Sequence, residues 1–204
     1  MIALLAALSA SAAAGLRVAL PLLVIGLLYG ETIWAQAPLL SLIPPRVVLG
    51  VLVSWSLFEL LGSKQLLGQR TLQIIQLIFS PIAGTILGVA IAEFTDREAP
   101  MILIMGVLSG LLALVLQLVQ VGWFYRLQGL PLWAIFAQDG LCIALTLFAF
   151  DAPRQGGVIA LLLLWLAIRS TNEWRRWYQA QAAYGDRPNL RDSRNPRRFK
   201  QDPD

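Results

Sequence analysis

Histidine is absent from the 204-residue chain, and cysteine occurs once, at Cys142. Without these side chains the sequence excludes zinc clusters, histidine-ligated haem and a disulfide framework, and we expect no metal and no cofactor. The same absence removes the nucleophilic dyads in which histidine is the base. The sequence also has no phosphate-binding glycine-rich loop and no hydrolase motif, so we predict that the protein is not an enzyme.

Charged residues are also scarce in this chain. They make up 14% of the residues, against 57% for hydrophobic residues, and the mean hydropathy is +0.67. A soluble domain of this length needs more charged surface than that. The composition therefore predicts an integral membrane protein whose first partner is the lipid bilayer.

Apolar segments long enough to cross a membrane recur along the chain. A crossing takes about 20 apolar residues, or fewer where the ends snorkel or the membrane thins. The predicted spans are 2–28, 47–62, 71–93, 101–123, 131–150 and 157–169. The fold class predicted from this pattern is all-α, a polytopic membrane helix bundle of about six transmembrane helices.

The same pattern divides the chain into two regions. Residues 1–183 are predicted to form one transmembrane helical domain. Its last helix is predicted to continue past the bilayer as an interfacial segment, 169–183, because no helix breaker appears before Gly185. The remaining residues, 184–204, lack apolar periodicity and are predicted to form a disordered basic tail.

The distribution of lysine and arginine predicts the orientation in the membrane. Nine basic residues lie between Arg169 and Lys200, so the side that carries the tail is predicted to be cytoplasmic. An even number of spans then places the N-terminus in the cytoplasm too. By the same count, the connector around Asp96, which follows the third span, is placed outside.

Small residues recur at every fourth position along several spans. Membrane helices associate through such residues, because lipid tails are as apolar as leucine and only close packing favours contact between helices. The predicted helix-packing positions are Gly15, Ser80, Gly84, Gly88, Ala92, Gly106 and Gly110. We expect them to pack helices within the chain. A homodimer, or a contact with another membrane protein, is the alternative.

The C-terminal end combines aromatic and basic residues. Trp174, Trp177 and Tyr178 share one helix face, and this arrangement is typical of an anchor in the headgroup layer. The tail residues predicted to bind anionic lipid headgroups or a partner are Arg194, Arg197, Arg198 and Lys200. Nucleic acid is not expected as a partner, because no stacking platform or nucleic-acid-binding fold accompanies the basic tail.

Three ionisable residues lie inside predicted spans: Arg17, Glu59 and Asp139. A central charge costs about 2.5–3.5 kcal/mol on insertion scales, so each needs a partner or a function. Arg17 and Asp139 are both predicted to lie deep in the bilayer, and they are the best-matched pair. Glu59 is placed near the end of its span, with Lys64 or water as its partner. These charges either line a transport route or fasten helices to each other.

Two prolines lie inside predicted spans, Pro21 in the first and Pro81 in the third. Proline has no amide hydrogen, and its ring collides with the carbonyl group four residues earlier in a helix. We therefore expect kinks at both positions. The kinks free carbonyl groups that are available to line a cavity.

Three segments resemble one family of bacterial membrane proteins, domain-of-unknown-function family 4126. They are AAAGLRVALPLLVIGLL in the first span, FELLGSK at the end of the second and LIFSPIAGTILG in the third. The matching positions are Gly15, Glu59, Lys64, Pro81 and Gly84, within residues 5–126. The resemblance implies a multi-pass protein of the plasma membrane or another internal energy-transducing bacterial membrane, and it implies no activity.

Two functions from different classes remain open. The midspan charge of Arg17 favours a small-solute or ion permease, with the intramembrane charges along its route. The basic tail favours a non-catalytic assembly or scaffold partner of a larger membrane complex. An enzyme that acts on lipid ranks third, since Glu59 or Asp139 would have to act without histidine or metal. Convergence of the three charges on a cavity would favour the permease, and a dry, closed core would favour the partner.

Overall fold

The computed structural model describes residues 1–33, 44–62, 66–127 and 131–185. These residues are almost entirely helical and contain no strand, as predicted for the fold class. The helices are α1 (Ile2–Leu16), α2 (Ala19–Ile33), α3 (Pro45–Gly62), α4 (Leu66–Phe94), α5 (Ala99–Leu127), α6 (Leu132–Asp151) and α7 (Pro153–Gly185). The chain divides into two compact units, Met1–Ala167 and Ile168–Asp204.

The helices have the length and surface of membrane spans. Among the described residues, Thr71–Phe94, Ala99–Phe124 and Trp133–Asp151 are long and apolar enough to cross a bilayer, and two shorter apolar helices lie in α1 and α2. Large apolar side chains face outward: Leu103 is 69% exposed and Trp133 is 74% exposed. The buried residues are mainly small or polar. This arrangement suits a lipid environment, and the chain is an integral membrane protein. The number of six crossings stays a prediction.

The first predicted span, 2–28, is not one helix, which corrects the prediction. α1 ends at Leu16, Arg17 has an extended backbone with φ −143° and ψ 137°, and α2 begins at Ala19. Pro21 explains this break, because in a continuous helix it has no amide hydrogen for the carbonyl group of Arg17, and its ring collides with that group. In α2 the same proline lies in the first turn, where no such donor is needed.

α1 runs antiparallel to α6 in unit 1. Ser9 in α1 donates a hydrogen bond to the carbonyl oxygen of Leu145, whereas Arg17, two turns further along, contacts Asp139. Between Ser9 and Arg17 the chain advances along α1, while the residue that it contacts on α6 moves back from Leu145 to Asp139, towards the start of α6. Met1 consequently lies at the end of unit 1 where α6 finishes.

The turn between α4 and α5 lies at this same end. One buried cluster contains Ala3 from the start of α1, Ala92 from the end of α4, Met105 from the start of α5 and Ala149 from the end of α6. The sequence placed the N-terminus inside and the Asp96 connector outside, whereas the structure places both at one end of unit 1. The side of the membrane that each of them faces stays a prediction.

A topology assay tests this arrangement of ends. We expect a reporter fused to the N-terminus and one inserted at Asp96 to report the same side of the membrane. A reporter fused after residue 66, at the start of α4, should report the opposite side. Because the tail is rich in basic residues, we also expect a reporter fused after residue 200 to be cytoplasmic. Opposite readings at the N-terminus and at Asp96 would contradict the packing of α1 in unit 1.

The small-residue stripe of α4 packs against α5 inside the chain. A Cβ atom added to Gly84 would lie 2.7 Å from the Cβ of Ala113 and 2.8 Å from the carbonyl oxygen of Ser109. A Cβ atom on Gly88 would lie 2.5 Å from the Cβ of Ser109. All the predicted packing positions lie in contacts of this kind: the glycines approach another helix closely, and the two other residues are fully buried. They are Gly15, Ser80, Gly84, Gly88, Ala92, Gly106 and Gly110. This surface is thus occupied within the chain.

Unit 2 begins inside α7, at Ile168. Its helix continues without a break to Gly185, across the predicted interfacial segment 169–183. Trp174, Trp177 and Tyr178 lie on this helix, and their side chains are outside the described residues. The tail residues outside the described part of the chain include Arg194, Arg197, Arg198 and Lys200. Their predicted contacts with lipid remain predictions.

Candidate functional site

The break after α1 leaves three carbonyl groups in the interior of unit 1. A continuous helix would give each of them an amide donor four residues later, and a buried carbonyl group without a donor is costly. Side chains from three other helices take the place of those donors. The donor and acceptor pairs are Ser80 Oγ to Ala14 O at 3.1 Å, Gln120 Nε2 to Gly15 O at 3.0 Å and Gln138 Nε2 to Leu16 O at 2.6 Å. The broken helix is therefore built into the bundle, as irregular backbone at membrane depth requires.

The charged residue at the break, Arg17, is paired. Its Nε donates to Oδ1 of Asp139 at a distance of 2.7 Å, and the two side chains are 7% and 12% exposed. The sequence predicted this pair from the depth of the two residues, and the structure brings them together. A hydrogen-bonded guanidinium and carboxylate offset part of each other's desolvation cost.

Glu59 is more deeply buried than the sequence indicated, and only 2% of the residue is exposed. Its Oε1 accepts a hydrogen bond from Trp55 Nε1 at 2.9 Å and another from Gln76 Nε2 at 3.1 Å. Two neutral donors therefore hold it, where the sequence predicted Lys64 or water. Lys64 lies outside the described residues. Arg17 and Asp139 are both within electrostatic range of this carboxyl group.

Two hydrogen-bonded pairs of amide side chains lie on the helices that surround the two carboxyl groups. Gln117 of α5 is fully buried and donates to Oε1 of Gln73 in α4 at 3.1 Å. Gln73 lies one turn before the glutamine that holds Glu59. Gln138 donates to Oε1 of Gln120 at 2.8 Å, and Gln120 lies one turn after Gln117. From α3 to α6, neighbouring helices are thus joined by one hydrogen bond each, and the two glutamines on α4, like the two on α5, lie one helical turn apart.

We name this set of side chains the polar layer. It consists of Arg17, Glu59, Gln73, Gln76, Gln117, Gln120, Gln138 and Asp139. Two buried atoms in it have no hydrogen-bond partner, Oδ2 of Asp139 and Oε1 of Gln117. Both atoms are acceptors. Each of them could therefore accept a hydrogen bond from a further donor, which a fully satisfied network would not offer.

Sequence reasoning missed two members of this site. Gln138 was not singled out, although a polar residue next to Asp139 in an apolar helix was a usable signal. Trp55 was not singled out either. Its indole group points along α3 to the carboxyl group one turn later, a spacing that brings two side chains together on a helix. Within the described residues, no group of three or more His, Cys, Asp and Glu is placed to hold a metal ion.

The fold and the site define a class: an all-helical integral membrane protein with a broken helix and buried charges at the break. A family model described as "Domain of unknown function (DUF4126)" matches residues 4–173, and the chain belongs to this family. The resemblance found in residues 5–126 is thereby confirmed, and the matched range includes the whole polar layer. No curated protein and no solved structure matches the chain significantly.

Proposed function

We propose that the protein is a non-catalytic permease for a small solute or ion and that the polar layer lies on its route. The observation that carries this proposal is the charged helix break in the interior of unit 1. Discontinuous helices whose ends and charged side chains meet near the middle of the membrane are the usual binding sites of secondary transporters. Ionisable groups at this depth are costly and are retained where they serve a pathway.

The packing of α4 and α5 argues against a purely structural role for the polar layer. These two helices are held together by glycine and small residues in close contact and by the hydrogen bond from Gln117 to Gln73, without any ion pair between their described residues. Membrane helices in this chain thus associate well without buried charge. A network that desolvates two carboxyl groups and a guanidinium, and that leaves two acceptors unpaired, adds cost where fastening alone needs none.

Water access to the break tests this proposal without knowledge of the substrate. Cys142 is the one cysteine of the chain, so Cys142→Ser gives a background for single cysteines. We expect Val18→Cys, at the break, to react with a small membrane-impermeant maleimide that is added to one side of a proteoliposome. The reason is that a permease must open its site to water on at least one side of the membrane.

Two matched positions calibrate the labelling. Leu103→Cys, on the outer surface of α5, should remain unlabelled in lipid, and Arg97→Cys, in the exposed turn before α5, should be labelled from one side only. If Val18→Cys behaves like Leu103→Cys from both sides, the break is dry and the permease proposal fails.

A scaffold or assembly partner is the second candidate, and one surface favours it. α3 presents an open groove of about 550 Å³ that is lined by apolar residues and one serine. A Cβ atom added to Gly50 in this groove would meet no atom within 4 Å. An apolar face that no described residue fills suits a helix of another membrane protein. Copurification of one defined membrane protein that is lost in Gly50→Leu, together with a dry break, would favour this candidate.

A further inference from the structure

The formal charges of the polar layer do not balance. The layer holds one guanidinium group, that of Arg17, and two carboxyl groups, those of Glu59 and Asp139. If both carboxyl groups are ionised, a buried layer carries one excess negative charge. Excess charge in a medium of low dielectric constant is strongly unfavourable, so a cation or a proton is the expected remedy.

The atoms without partners indicate the same missing chemistry. Oδ2 of Asp139 and Oε1 of Gln117 accept no hydrogen bond, and Gln117 is fully buried. Neither atom is a donor. Among the described residues, the layer therefore has fewer positive charges and hydrogen-bond donors than its acceptors call for, and a proton bound in the layer adds one of each.

The carbonyl groups at the break bear on whether the polar layer binds a proton or a metal cation. A sodium ion at a broken helix is usually held by unwound carbonyl oxygens. Here the carbonyl oxygens of Ala14, Gly15 and Leu16 already accept hydrogen bonds from side chains of the surrounding helices. A metal ion would therefore have to share each of these oxygens with a side-chain donor that already uses one of its two lone pairs. A proton needs no such set of ligands.

The two carboxyl groups differ in their surroundings. Asp139 has a positively charged partner, the guanidinium group of Arg17, at 2.7 Å. Glu59 is held at Oε1 by two neutral donors, the indole of Trp55 and the amide of Gln76. The described titratable groups in range of Glu59 are Arg17, Asp139 and Cys142. The side chains of Glu31 in α2 and Arg70 in α4 lie outside the described residues.

We propose that Glu59 takes up one exchangeable proton from water while Asp139 keeps its ion pair with Arg17. Uptake forms one O–H bond on the Glu59 carboxyl group and makes the polar layer neutral, and release returns the proton to water. The inference does not depend on solute transport. If the protein is a permease, the same proton is available to drive it.

Infrared difference spectroscopy of the full chain in lipid nanodiscs tests this proposal. We expect the wild type to show the C=O stretch of a protonated carboxylic acid that disappears as the pH is raised and shifts in D₂O. Isotope labelling of glutamate side chains should shift the same band. A band that is absent at every pH, or that does not move on glutamate labelling, would overturn the assignment without the use of any variant.

Two variants assign the band to one residue. Glu59→Gln keeps an acceptor oxygen for the Trp55 and Gln76 donors and should lose the band, whereas Glu98→Gln, at an exposed position, should retain it. Retention of the band in Glu59→Gln would overturn the proposal. The band and the melting temperature should be the same in a buffer whose cation is choline and in one whose cation is sodium. Loss of the band on addition of sodium would overturn the proton in favour of a metal cation.

The proton also predicts the direction of a pH effect on stability. A folded state that binds a proton which the unfolded state releases loses stability as the pH rises. The melting temperature of the wild type should therefore fall more steeply with rising pH than that of Glu59→Gln. Equal pH slopes for the two proteins would contradict a proton at Glu59.

Discussion

Replacement of Arg17 by alanine is expected to lower the free energy of unfolding by about 3–5 kcal/mol, the usual cost of removing one partner from a buried ion pair. The change leaves Asp139 without its cation, and neither of its oxygens then has a partner within the described part of the chain. It also removes the described guanidinium group in range of Glu59. Asp139→Ala should cost less, because the guanidinium group can then interact with Glu59.

The double variant, Arg17→Ala with Asp139→Ala, should recover much of the loss, because no partner of the pair is then left unpaired. Equilibrium unfolding of the four proteins in mixed detergent micelles gives the coupling energy between the two residues. Arg97→Ala, at an exposed arginine of the turn before α5, controls for the loss of a positive charge and should have little effect. Simple addition of the two single losses would show that the residues do not interact.

Gly84→Ala is expected to destabilise the protein by about 1–3 kcal/mol, although the change adds a single methyl group. The new Cβ atom would lie 2.7 Å from the Cβ of Ala113 and 2.8 Å from the carbonyl oxygen of Ser109. Both atoms are fixed to the backbone of α5, so neither can rotate away. The two helices must move apart, and the close contact that holds them in lipid is lost.

Gly122→Ala provides the matched control for this loss. It makes the same chemical change on α5, at a position where the added Cβ atom meets nothing within 4 Å. It should therefore be neutral or stabilise the helix by up to about 1 kcal/mol. Unfolding of both variants in the same detergent measures the difference. Equal stability of Gly84→Ala and Gly122→Ala would contradict tight contact between α4 and α5.

Local composition determined the class of this protein and its packing surfaces. Hydropathy sums over neighbouring residues, so the sequence alone indicated a helical membrane protein, and the structure has three helices of spanning length. The fourfold spacing of small residues is likewise a property of one helix. It identified Gly84 and Gly88 as contact positions before any partner helix was known.

Only the tertiary structure decided how the polar groups connect. The sequence contained Pro21, but a hydropathy window cannot distinguish a kink from the complete break at Arg17, since the outcome depends on the side chains that satisfy the freed carbonyl groups. It likewise showed Glu59 and Gln76 without their hydrogen bond. Such contacts join residues from different helices, and their register is fixed by packing of the whole bundle. A pattern within one helix carries no information about that register.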